Sequence, residues 1–213
     1  MKSLFPPPTE RSSFLPLKAI APGLIIIVVM NILAVSGLWP SDHPRWTMAS
    51  TLMLWVIPWA TLIVLRRSPT VFAYRGHRAG LNYAWGVLAG AIWRGLSMFF
   101  NYRIIHAGSV PVGGISVLFA ALIWVPFIEE TFFRGYLGKT LNANLGPAKG
   151  IFLQSVFFTF QPVHWQQGWL SLISVFVFGV IAGWLVERWD SIWAGWGAHG
   201  FANVLPGILR LFV

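Results

Sequence analysis

Long runs without a charged residue organise this chain. Ala19 to Ser41 carries none, nor does Trp46 to Leu65, and Ala79 to Trp93 is clean until Arg94. Ile104 to Ile128 holds only His106 as an ionisable group, Gly150 to Val186 is uncharged, and Ser191 to Leu209 holds only His199. A helix needs roughly 20 apolar residues to cross a hydrocarbon core. The run from Gly150 is long enough for two helices, with Gln161-Pro162 and Gln166-Gln167-Gly168 as the break. The pattern predicts an all-α, polytopic membrane helix bundle of about seven transmembrane helices. Their expected places are 17–39, 46–65, 81–100, 114–138, 149–165, 169–187 and 191–212. Residues 1–16 read as an N-terminal cytoplasmic tail, irregular through Pro6, Pro7 and Pro8, and 17–213 as a single transmembrane domain. The first apolar run exceeds the roughly 7–15 residues of a signal-peptide core, so it reads as a retained helix.

Composition agrees. Of 213 residues 56% are apolar and 10% charged, and the mean hydropathy is +0.68. A soluble domain carries about a quarter charged residues. Lipid, rather than water, is the partner this surface suits. The net charge of +9 would suggest nucleic acid in a soluble protein; here an asymmetry of loop charge accounts for it, and no nucleic-acid partner is expected. With the N-terminus cytoplasmic, ten basic residues fall inside (Lys2, Arg11, Lys18, Arg66, Arg67, Arg75, Arg78, Lys139, Lys149, Arg188) against Arg45, Arg103 and Arg210 outside. The absence of cysteine removes disulfides, thiol nucleophiles and thiolate metal sites. Trp39, Trp46, Trp165, Trp169 and Trp189 flank spans, as interfacial anchors do. Gly86-x3-Gly90 and Gly179-x3-Gly183 would permit close helix contacts.

The chain has six acidic residues, and two of them, Glu129 and Glu130, are adjacent inside a hydrophobic run that also carries Arg134. An ionised side chain at mid-bilayer costs on the order of 3 kcal/mol, so such residues are read as functional by default. Neighbouring helix positions point about 100° apart. Glu130 and Arg134 stand at i, i+4 with the acid first, the favoured order for an ion pair. That leaves Glu129 as the free carboxylate. Read plainly as structure, the same three residues could be a charge cluster fastening helices.

Two histidines favour chemistry. His199 has Asn203 at i+4 on one helix face, and His164 follows Phe160 by four across Pro162, which disfavours helix at Gln161. Irregular backbone at depth is tolerated where it lines a wet cavity. A carboxylate can take a proton from water, a histidine can share that water, and a histidine with an amide can donate to an oxyanion. That set suffices for hydrolysing an amide without a covalent intermediate. No His-Glu-x-x-His or Gly-x-Ser-Gly motif occurs, and Asp42 and Asp190 fall outside the spans, which argues against zincin, serine and aspartyl chemistry. Arg94 is read first as snorkelling toward an interface.

Glu129-Glu130-x-x-x-Arg134, Phe160-x-x-x-His164 and His199-x-x-x-Asn203 resemble the three ordered motifs of the CPBP family, which holds the CAAX prenyl endopeptidases and the bacterial Abi proteins. Phe133-Arg134-Gly135 continues the usual ending of the first motif. The resemblance covers about 115–205. It implies an intramembrane glutamic-type endopeptidase of a bacterial or archaeal cell membrane, acting on a membrane-anchored or lipidated peptide or protein. Carried over by position, Glu129 and His164 activate water, His199 and Asn203 form an oxyanion hole, and Glu130 and Arg134 support them. The family was long labelled a metalloprotease, and Glu129, His164 and His199 could instead bind zinc. A metal-free mechanism without a cofactor is the first expectation, because Asn203 suits an oxyanion better than zinc. The alternatives are a non-catalytic scaffold or immunity-type protein of the same fold, and a proton relay, which would more often show repeated halves.

The depths conflict if every helix is straight. At 1.5 Å per residue Glu129 lies about 22 Å from the outer end of a helix beginning at Gly114, and His164 about 21 Å from the inner end of one beginning at Gly150. For the two to meet, the fourth helix must begin nearer Leu118 or the fifth must be tilted or broken.

Overall fold

A computed structural model describes residues 14–38, 44–100, 114–165 and 168–209. Most of the N-terminal tail, Trp39, His43, Arg103, His106, Gln166, Gln167 and Arg210 lie outside the described residues, as does the side chain of Trp46. The described chain forms eight helices and no strand. They are α1 (Leu17–Val35), α2 (Pro44–Leu65), α3 (Ala79–Phe100), α4 (Ile115–Leu145), α5 (Pro147–Thr159), α6 (Pro162–Trp165), α7 (Trp169–Trp189) and α8 (Ile192–Leu209). Four of these, α1, α2 from Met48, α4 and α7, are long and apolar enough to cross a membrane by length and composition. The expected figure of about seven spans goes beyond that. α3 and α8 are long enough, but their small and polar residues dilute their hydropathy, and the fifth expected span is divided into α5 and α6.

Burial runs opposite to that of a soluble protein. Glu130, Arg134, Lys139, Gln154, Ser155 and Glu187 are buried, while Ile32, Val35, Ile63, Val64, Ile115 and Phe152 are exposed. A contiguous apolar exterior has no favourable contact with water, and in lipid it costs nothing. The chain is an integral membrane protein.

α4 extends further than its charge-free run, which ends at the glutamates. Buried side chains continue through Leu141, and Lys139 is neutralised by Glu187 at 3.0 Å and Asp190 at 2.9 Å at the end of α7. Asn142 Nδ2 donates to the same Glu187 carboxylate at 2.8 Å, and Arg75 reaches Asp190 at 2.6 Å. Lys139, expected among the loop charges, is therefore part of a buried polar cluster closing one end of the bundle. The Asp190 carboxyl feels burial, which raises its pKa, but the Lys139 and Arg75 cations outweigh this and hold it below the ordinary aspartate range.

Small residues set the helix spacings. A Cβ on Gly86 or Gly90 would fall on the α8 backbone at Ala194 and Ala198, and one on Gly197 would fall on the Tyr83 carbonyl. Gly179 and Gly183 lie against the Ser155 and Gln154 side chains of α5, and Gln154 Nε2 donates to the Gly179 carbonyl at 3.0 Å. Both glycine pairs read from the sequence thus sit at close helix contacts, Gly86 and Gly90 against backbone and Gly179 and Gly183 mainly against side chains. Gly200 packs on the α4 carbonyl of Leu122. α8 accordingly lies between α3 and α4, which draws its His199 toward the α4 glutamates.

Candidate active site

α4 is not a uniform α-helix. Ala120–Trp124 and Thr131–Gly138 are π-helical, with the Val125 amide bonded to the Ala120 carbonyl and the Lys139 amide to the Arg134 carbonyl. Stretches of this kind are uncommon and cluster at functional sites. Here the first wide turn presents carbonyls sideways to α8: Asn203 Nδ2 donates to Ala121 O at 3.3 Å and Trp196 Nε1 to Leu122 O at 3.2 Å. Val125–Glu130 between the two stretches is ordinary α-helix and carries both glutamates.

Glu130 is fully buried, and one of its oxygens serves two partners. Oε1 lies 3.0 Å from Arg134 Nη1 and 2.8 Å from His199 Nδ1. The i, i+4 pair is the one the spacing predicts; the histidine partner comes from α8. No guanidinium nitrogen of Arg134 makes a well-angled hydrogen bond, so charge and ring contact hold it. Its guanidinium carbon sits 4.1 Å from the centre of the Phe158 ring and 5.6 Å from that of Phe178.

A carboxylate only accepts, so His199 bonded through Nδ1 must carry a proton there. Its Nε2 then points at Glu129, whose Oε2 is 3.7 Å away. That is beyond direct hydrogen-bond range. Phe158 and Phe178 flank the His199 ring at centroid distances of 5.8 and 5.4 Å.

His164 is brought in by the helix break. α5 ends at Thr159, and the chain turns at Phe160-Gln161 before α6. The orphaned Phe158 carbonyl accepts from the Gln161 amide at 3.4 Å, from Gln161 Nε2 at 3.3 Å and from His164 Nδ1 at 2.9 Å. Since a carbonyl also only accepts, His164 is protonated at Nδ1, and its Nε2 is the free nitrogen. Trp165 Nε1 pins α6 to Asn31 of α1 at 3.2 Å. The break removes the premise of the depth conflict, because the straight rise of α5 ends at Thr159.

Glu129, His164, His199 and Asn203 all line one cavity of about 240 Å³, together with Phe158, Phe178, Ser174 and Arg94. The structure therefore brings together the four residues singled out as catalytic, with Glu130 and Arg134 packed behind them. It differs from the motif reading at two places. Phe160 is 52% exposed and does not line the cavity; the aromatic under the site is Phe158, two positions earlier. Arg94 lines the cavity instead of reaching for an interface. Phe158 carried no signal of its own among 17 phenylalanines, whereas Arg94 stood out as a charge inside an apolar run.

Among the described residues no three His, Asp or Glu side chains stand close enough together to hold a metal ion. Glu129, His164 and His199 thus do not fit zinc as they are placed, and His199 Nδ1 is already occupied by Glu130.

Among protein families, the type II CAAX prenyl endopeptidase Rce1-like family matches residues 111–205. This segment is Rce1-like. The match belongs to the CPBP family that the motifs resemble, and it contains all seven named motif positions. No curated protein and no solved structure matches the chain. The Rce1-like family is one of proteases, and the matching segment lies here in a bundle of membrane helices. The Rce1-like segment includes α4 through most of α8. α3, with Arg94 and Ser97, precedes it.

Proposed function

We propose that the protein is an intramembrane endopeptidase that cleaves a membrane-associated peptide with water activated by Glu129 and His164. The observation that carries this reading is the state of the two rings. Both histidines have Nδ1 engaged, one by Glu130 and one by the Phe158 carbonyl, and both line the cavity that holds Glu129.

The steps balance without a further group. A water donates one hydrogen bond to His164 Nε2 and loses its other proton to Glu129 as its oxygen attacks the scissile carbonyl carbon. The oxyanion that forms is met by Asn203 Nδ2–H and His199 Nε2–H. Because His199 Nδ1–H serves Glu130, the Nε2–H donor requires the doubly protonated ring, whose charge the flanking carboxylates balance. Collapse breaks the C–N bond, and the proton held by Glu129 passes to the leaving nitrogen. Asn203 swings one N–H from Ala121 or uses its second; either leaves a donor for the oxyanion.

The scissile bond would lie in the cavity of about 240 Å³ that holds Glu129 and both histidines. The family's printed name concerns prenylated CAAX peptides, and such a lipid-anchored segment fits a site within an apolar bundle. The loop charges support a cytoplasmic N-terminus.

The test is a farnesylated CAAX-type peptide with a quenched fluorophore, given to the protein in phosphatidylcholine nanodiscs. Glu129→Gln is expected to lower kcat by at least about 100-fold while leaving the unfolding temperature nearly unchanged. Equal turnover by both proteins would take Glu129 out of the reaction, and no turnover by either would leave a scaffold in place of an enzyme. Added zinc or chelator separates the two water-activating schemes, and only a metal enzyme loses turnover to the chelator.

A further inference from the structure

Away from the catalytic cavity, a groove of about 870 Å³ runs between α3, α5 and α7. Ala89 forms its α3 wall, Ala148 and Phe152 its α5 wall, and Phe176, Ile181 and Trp184 its α7 wall. Phe152 and Trp184 are exposed, so the groove opens outward to lipid, and no charged side chain lines it. Its α7 lining runs from Phe176 to Leu185, nine helical steps, or about 14 Å. One leaflet of a hydrocarbon core about 30 Å thick is about 15 Å deep. The groove therefore has the length of an acyl chain. Cations stand at one end of it. Lys149 is next to Ala148 and three residues before Phe152, and Arg188 is one turn beyond Trp184. Both are exposed, and no carboxylate among the described residues pairs with either. The acids of this end are engaged elsewhere, Glu187 with Lys139, and Asp190 with Lys139 and Arg75.

We propose that this groove binds an anionic phospholipid, with an acyl chain lying along α7 and the headgroup phosphate held by Lys149 and Arg188. The proposal needs the membrane bundle and not the endopeptidase reading. Any lipid chain covers the apolar walls, but a zwitterionic headgroup leaves two cations without a net counter-charge. An anionic headgroup supplies one, and basic pockets between helices at the cytoplasmic side are where such headgroups bind. The loop charges assign this end to the cytoplasm. Trp184, one turn inward from Arg188, stands where an indole has its body among acyl chains and its N–H toward the headgroups. A lipid seated this way touches three helices at once, and its headgroup ties the start of α5 to the end of α7.

The test reads quenching of Trp184 by phospholipids brominated along the acyl chain. Protein in phosphatidylcholine nanodiscs receives rising fractions of brominated phosphatidylglycerol or brominated phosphatidylcholine, and the emission of a Trp184→Phe variant is subtracted. Half-quenching is expected at a mole fraction at least about 5-fold lower for phosphatidylglycerol, the factor that one cation near an anionic headgroup supplies. Lys149→Gln combined with Arg188→Gln should remove this preference while leaving quenching by phosphatidylcholine and the size-exclusion profile unchanged. Lys149→Arg combined with Arg188→Lys, which keeps both charges, should retain it. Ala148→Phe, which fills the groove, should weaken quenching by both lipids. Unbrominated phosphatidylglycerol should restore the emission, and glycerophosphoglycerol, the same headgroup without chains, should not. Equal half-quenching by the two lipids, or a preference that survives the loss of both cations, overturns the proposal. Restoration by the chainless headgroup would leave a surface phosphate site and remove the groove from it. Restoration by a farnesylated peptide at a lower mole fraction than phosphatidylglycerol would give the groove to the substrate's own lipid chain. Quenching that disappears when each nanodisc holds two copies would give it to a second copy of this chain.

Discussion

The Phe158 carbonyl holds His164 through Nδ1 at 2.9 Å while the Phe158 ring lies 4.1 Å from the Arg134 guanidinium. One residue at the end of α5 thus touches two parts of the site, His164 by its backbone and Arg134 by its side chain. The ring also packs on His164 itself, at a centroid distance of 5.0 Å.

Truncating that ring should matter and truncating its neighbour should not. Phe158→Leu keeps the carbonyl bond to His164 but removes the aromatic face under Arg134. It is expected to cost about 1–3 kcal/mol of stability, with a several-fold loss of turnover. Phe160→Leu, at a half-exposed position, should change either by little. Thermal unfolding in detergent and peptide turnover compare the two directly.

Glu130 and Arg134 should behave as one unit. Removing either partner of a buried pair strands the other charge, at about 3–5 kcal/mol. Arg134→Met and Glu130→Gln are each expected to destabilise by roughly that amount. The double variant should lose less than the sum of the two, since no isolated charge remains. Turnover should fall in both Glu130 variants, because His199 loses the group that orients it. Additive losses would show the pair to be independent.

Helix spacing is tested on α3. A Cβ on Gly90 falls against the Ala198 backbone, where neither helix can yield locally, so Gly90→Ala should sharply lower the unfolding temperature or abolish expression. Gly95 has open space at the same place. There Gly95→Ala should stabilise by about 0.5–1 kcal/mol through helix propensity alone. Similar effects at the two glycines would contradict the close α3–α8 contact.

Acid should loosen the closed end of the bundle. The Lys139 and Arg75 cations hold the Asp190 carboxyl below its ordinary value, against a burial that raises it. A depressed folded pKa means this stabilisation is complete above the unfolded aspartate value of about 3.9 and is lost as pH falls from there through the folded value. Asp190→Asn should lower the unfolding temperature at pH 7 and flatten its fall below about pH 4. A variant that melts in parallel with the unmodified protein at every pH would remove Asp190 from the account.

Much of the architecture was determined by sequence alone, because it depends on contacts inside one helix or on the solvent a segment requires. Charge-free runs place the long apolar helices, since a charge in hydrocarbon is costly over any such span. The Glu130–Arg134 pair follows from four residues of helix, the break before His164 from Pro162, and the close faces of Gly86 and Gly90 from their lack of a Cβ. What only the tertiary structure decided is how helices turn and slide against each other. Glu130 reaches His199 across 69 positions because α8, thinned by small residues, packs against α4. Phe158 replaces Phe160 at the site because the turn after Thr159 ends the helical register in which Phe160 and His164 would share a face. Arg94 faces the cavity because of the rotation of α3 about its own axis. Spacing along a chain specifies angles within a helix, whereas rotation and depth between helices are set by packing summed over many distant residues.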